Sequence, residues 1–146
     1  MHPAARVATR YLIKKASEKS ARMPFLMEEP RIESLLGEIQ DPMTWAGPYY
    51  NHHTFFTLDN GQEVYYAMPK DEDGYRLSVQ IGTREPLWLS KGQSSYDKKD
   101  VQSFSSPLEV ARLAAKHAAV LLGRYGLAEK ESPVAKIRHL LHLANG

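Results

Sequence analysis

His139 and His142 stand three residues apart near the end of the chain. On a helix that spacing turns two imidazoles toward one point, where they could offer a metal ion two nitrogens. No nearby acid or thiol supplies the remaining ligands, and the HExxH pattern is absent. Arg138, His139 and His142 are better explained as positive charge near a helix C-terminus, where the dipole favours it. His52 and His53 are adjacent, so an extended chain points them to opposite faces and prevents joint chelation. They are expected in a loop or at a strand edge. His117 is the only titratable group on the apolar side of its helix. Catalysis there would need an acid or hydroxyl from another element, and a buried, hydrogen-bonded imidazole is the expected role. "KDEDGY" (70–75) has an incomplete set of alternating oxygen ligands for a calcium loop. Counted from Gly74, Gln80 stands where the bidentate glutamate belongs. A polar hairpin turn accounts for it. "SKGQSSYDKKD" (90–100) has no phosphate-loop spacing and no nucleophile elbow, and is expected to be a long exposed connection. No catalytic residue, metal ligand or cofactor is assigned, and the chain is expected not to be an enzyme, a small enzyme using His117 or the His52/His53 region being the third and least favoured reading.

The elements that would position these residues follow from periodicity. Residues 4–20 suit a helix with Ala4, Val7, Ala8, Tyr11 and Leu12 on one side and Arg6, Arg10 and Lys14 at i, i+4, i+8 on the other. A break at "RMPF" precedes a second helix over 31–40, with Ile32, Leu35, Leu36 and Ile39 as its apolar stripe. "DPMTWAGPYYN" (41–51) reads as a loop. The period then changes to two: "TFFTL" and "QEVYYAM" flank the tight turn "DNG". In "YRLSVQIG" Tyr75, Leu77, Val79 and Ile81 point one way, and Arg76, Ser78 and Gln80 the other. "PLWLS" is a fourth strand and "DVQSF" a candidate fifth. Short connections favour an antiparallel meander.

Ser106, Pro107 and Glu109 then supply an N-cap, a first-turn proline and a capping box for a helix that Gly126 ends in a left-handed conformation. Glu109, Arg112 and Lys116 form its narrow polar stripe, so it should pack deeply across the sheet. Ser132-Pro133 opens a final helix through about residue 144, with Val134, Ile137 and Leu141 inward. The fold class expected is α+β: N-terminal helices, a four- to five-stranded antiparallel meander and two C-terminal helices. One domain is expected over residues 1–146, divided into a helical segment (1–42), a sheet (53–104) and closing helices (106–144).

Composition narrows the function classes. The 146 residues include no cysteine, so disulfides, thiolate metal sites and cysteine nucleophiles are excluded. No apolar run approaches the roughly 20 residues that cross a bilayer, and no secretory h-region follows the start. The expectation is a soluble protein, cytoplasmic or virion-borne, with no membrane partner. Charge is unevenly spread. Residues 5–22 hold six basic side chains and one acid, although the whole chain is only +2. A net +5 opening segment therefore precedes a body of −3. That balance does not describe a uniformly basic nucleic-acid binder.

Two surfaces are candidate contact sites. Arg6, Arg10 and Lys14 repel one another at helical spacing, by about 0.2–0.5 kcal/mol per pair. Such a stripe suits a solvated face, an organellar targeting helix, a phosphate-binding arm, or docking onto an acidic partner or neighbouring subunit with Val7, Tyr11 and Leu12 as anchors. The docking reading is preferred, with a protein partner or an oligomeric assembly on the other side. The second surface is the reverse face of the sheet. With Phe56, Leu58, Val64, Tyr66, Leu77 and Val79 in the core, alternation turns Phe55, Tyr65 and Trp88 outward, with Arg76 beside them. Aromatic rings next to an arginine could stack single-stranded bases, which makes nucleic acid the alternative partner. Burial of the same face under the first two helices is the simpler expectation.

"PAARVATRYL" resembles the openings of some uncharacterised tailed-phage proteins, where a proline precedes an R-V-A-x-R-[YF]-L run. The resemblance spans about ten residues, implies a virion or phage-encoded accessory protein, and carries over no functional residue. The helix–strands–helix order is also similar to double-stranded RNA-binding domains. Their lysine-rich helix start is replaced here by "SSPLEV", which removes that family's main phosphate contact.

Overall fold

The structure, a computed structural model, describes residues 23–129, with side chains from residue 30 onward. Helix α1 (Met23–Ile39) begins the described chain. It is longer than the 31–40 helix expected: the "RMPF" break is not observed at Met23, and the helix runs through Pro30. Proline lacks an N–H, so that turn forgoes one i→i−4 bond. The apolar stripe is the expected one. Ile32, Leu36 and Ile39 follow at i, i+4, i+7 and are fully buried, with Leu35 packed beside them. The indole N–H of Trp45 donates to the Ile39 carbonyl at 2.8 Å, satisfying one of the open acceptors at the helix end.

Five strands form the path β1 (Asn51–Thr57), β2 (Glu63–Asp71), β4 (Leu77–Ile81), β5 (Leu87–Ser90), β6 (Gln93–Ser95), all antiparallel; β3 (Gly74–Tyr75) pairs with β2. The turn at "DNG" forms as expected. Leu58 N–H donates to Gln62 and Gly61 N–H back to Leu58, each at 2.8 Å, with Gly61 at φ 89°. β3 and β4 are one strand in register terms. Lys70 opposes Tyr75 and Ala67 opposes Ser78, which places Pro69 opposite Arg76. The ladder is interrupted there because Pro69 accepts from Arg76 N–H at 3.0 Å and has none to return.

Two expectations are corrected in this region. The fifth strand of the meander is Gln93–Ser95, inside the stretch expected to be an open connection. Gly92 at φ 71° makes a two-residue turn between Ser90 and Gln93. "DVQSF" is no strand, although Phe104 makes an isolated bridge to Tyr75. His52 and His53 lie in β1, the edge strand, the second of their two expected placements, and His53 is buried.

Helix α2 (Pro107–Tyr125) has Ser106 as N-cap, accepting from Glu109 N–H at 3.4 Å. The capping box is only half made, since the Glu109 carboxylate accepts from the Ser105 hydroxyl at 3.2 Å. Gly126 ends the helix at φ 78°, ψ 165°, which is positive but outside the left-handed helical well. Ala111, Ala114, Ala115, Ala118 and Ala119 are buried, and their small side chains let α2 lie close against both α1 and the sheet. Both helices thus share one face of the sheet with Phe56, Leu58, Val64, Tyr66, Met68, Leu77, Val79 and Leu89 in a single core. α1 therefore does not cover the reverse face. The result is an α+β domain body with two helices among the described residues. The helices expected over 4–20 and 133–144 lie outside those residues.

Candidate functional site

The leading stripe of Arg6, Arg10 and Lys14, with Val7, Tyr11 and Leu12, lies outside the described residues, as do His139 and His142. The remaining candidates sit on the sheet and on α2.

On the reverse face the register sets Phe55 opposite Tyr65, their rings stacked at 6.2 Å between centroids. Trp88 belongs to the neighbouring row, opposite Ser78. So alternation does gather three rings on one face, yet they do not form an open platform. Tyr65 is 5% exposed and also stacks on His53 at 5.6 Å, while Phe55 and Trp88 are half-buried. Arg76 departs further from expectation. Its side chain is only 12% exposed and its guanidinium faces Asp71 at 3.5 Å and Asp73 at 3.8 Å. The cause is local: the hairpin turn carries both acids within five residues, and the register folds them back over Arg76. A guanidinium already balanced by two carboxylates is poorly placed to meet phosphate.

The same acids explain "KDEDGY". Asp71 accepts from the Asp73 backbone N–H at 2.9 Å and lies 3.7 Å from the Lys98 ammonium. That N–H, then Arg76 and Lys98, hold the Asp71 carboxyl below its ordinary range. The Asp71 oxygens are thus engaged by protein donors. Among the described residues no three His, Cys, Asp or Glu side chains gather closely enough to hold a metal ion.

His117 has the partner its position demanded. Its Nδ1 lies 2.8 Å from the Tyr66 hydroxyl, and the two rings meet edge to face. α2 delivers the imidazole from the helix layer and β2 delivers the phenol from the sheet, so the bond spans the core. Burial pushes the Tyr66 phenol well up and the His117 imidazole down, so both are neutral at pH 7. A neutral imidazole accepting at Nδ1 is protonated at Nε2, and the phenol donates. Trp45 and Phe56 close around Tyr66 at 6.5 and 6.0 Å. Tyr66 is 0% exposed and His117 half-buried, so the pair has a general base's distance with the phenol itself closed to a substrate. It braces the core. Sequence reading had both residues facing inward and did not join them. The available signal was complementarity, since a buried phenol needs a polar partner and a half-buried imidazole can supply it.

No described helix is long and apolar enough to cross a membrane. No protein-family model matches the chain, and neither the curated proteins nor the solved structures searched contain a match.

Proposed function

We propose that the chain is a non-catalytic interaction domain that docks onto a protein partner or assembly through its basic opening segment. Arg6, Arg10 and Lys14 supply the charge, and Val7, Tyr11 and Leu12 the apolar anchors. One observation carries the reading: residues 5–22 are net +5 while residues 30–129, with thirteen acidic and ten basic side chains, are net −3. Such segregation does not stabilise a helix, and it gives an acidic partner a defined target. The described body supports a carrier role, because α1, α2 and the sheet build one core from residues 32–127. A virion assembly is the partner class implied by the resemblance at "PAARVATRYL".

Nucleic acid is the second reading, favoured by the half-exposed Phe55 and Trp88 on one sheet face. It is weakened by Tyr65 and Arg76, the first buried and the second ion-paired. Co-sedimentation with the native assembly, using wild type and R6E/R10E/K14E, tests the first reading. A complex lost on charge reversal supports it; wild type that remains a free monomer refutes it. A gel shift on single- and double-stranded DNA at low and moderate salt tests the second, since phosphate-driven binding falls steeply with salt.

A further inference from the structure

Helix α2 turns a second cationic line to solvent. Arg112, Lys116, Val120 and Arg124 are all exposed, each four residues after the last. Each step of four advances about 40° around a helix, so the four form a ridge about 18 Å long that winds through about 120°. Among the described residues Arg112, Lys116 and Arg124 have no carboxylate within ion-pair distance. The only acid on α2 is Glu109, whose carboxylate is held by the Ser105 hydroxyl. Three cations of one sign thus share a face of a body that is otherwise acidic.

Helix stability would favour the opposite arrangement. Acids four residues before these bases would stabilise the helix, whereas Arg112 and Lys116 repel each other. Nor is the ridge only charged. Val120, between Lys116 and Arg124, is 62% exposed. A nucleic-acid backbone would use the cations and leave this apolar side chain without contacts.

We propose that this ridge is a docking surface for an acidic amphipathic polypeptide segment. Its carboxylates would meet Arg112, Lys116 and Arg124, and an apolar side chain would cover Val120. The surface uses residues other than those of the opening segment, so the two proposals stand or fall separately.

The test is fluorescence anisotropy with the full chain and a labelled synthetic helix carrying glutamate at every fourth position among leucines. A glutamine version of the peptide and a short DNA duplex serve as comparisons. Binding of the glutamate peptide is expected, weakened about tenfold or more by R112E/K116E/R124E and also weakened by V120D, with R6E/R10E/K14E within about twofold of wild type. Circular dichroism melts matching wild type show that the ridge variants, all at exposed positions, still fold. R112Q/K116Q/R124Q repeats the test without reversed charge. Absence of binding, binding indifferent to the ridge variants, or tighter ridge-dependent binding of the DNA duplex each overturns the proposal. Loss only in R6E/R10E/K14E overturns it while leaving the opening-segment reading intact.

Discussion

Tyr66→Phe removes a single oxygen from the centre of the core and leaves the Nδ1 of His117 without its 2.8 Å partner. A buried polar atom left unsatisfied costs about 1–3 kcal/mol. A loss of about 2 kcal/mol is expected here, because the ring itself stays packed. For a chain of this length that is a fall in Tm of about 4–8 °C. His117→Leu should cost a similar amount by stranding the Tyr66 hydroxyl, which is fully buried. The double variant replaces both partners with apolar groups and should cost less than the two single changes together, with a coupling of about 1–2 kcal/mol.

Acidity supplies an independent sign. Burial lowers the pKa of His117 in the folded chain. Above the unfolded value, about 6.5, the imidazole is neutral in both states and contributes no pH dependence. As pH falls below it, the unfolded chain takes up a proton that the folded chain resists, so stability drops until the folded pKa is passed. His117→Leu should remove that part of the slope. Urea unfolding at neutral and mildly acidic pH measures all four proteins, with fluorescence including Trp45, whose ring lies 6.5 Å from Tyr66. Strictly additive costs, or an unchanged acid slope in His117→Leu, would refute the core-brace account.

Three further outcomes are expected in the same assay. Trp45→Phe keeps a ring in place but removes the donor to the Ile39 carbonyl, and should cost about 1 kcal/mol. Ser106→Ala should also cost about 1 kcal/mol, through loss of the N-cap of α2, whereas Ser106→Asp should restore most of it. Gly74→Ala should be worse than either, at about 2 kcal/mol or more. Gly74 sits at φ 124°, and an added Cβ would come within 2.5 Å of the Phe104 carbonyl oxygen; hydrogen exchange should show the β2–β3 tip released.

Period-two alternation made the sheet legible. The core positions Phe56, Val64, Tyr66, Leu77 and Val79 were readable because each strand must hide one face. The α2 cap and the Ile32–Leu36–Ile39 stripe were readable for the same local reasons. What alternation cannot supply is the neighbour of each side chain. Arg76 read as an exposed cation because its acids arrive only when the hairpin closes. The start of α1 was misplaced because proline reads as a helix breaker, whereas the helix continues through Pro30. β6 was missed because "QSS" has no apolar alternation: its pairing comes from the Gly92 turn and the backbone of β5.

The interruption at Pro69 has a kinetic consequence. Beyond that proline the tip of the hairpin gains hydrogen bonds from Ser103 and Phe104: the Ser103 hydroxyl donates to the Asp73 carbonyl at 2.7 Å, Tyr75 N–H donates to the Phe104 carbonyl at 2.9 Å, and Phe104 N–H returns one to Tyr75 at 2.7 Å. Phe104 stands three residues ahead of α2. The β2–β3 tip is local in sequence, yet it cannot be completed until the chain has returned from β6 and begun to place α2. Closure of the tip and seating of that helix should therefore be one late event on the folding pathway.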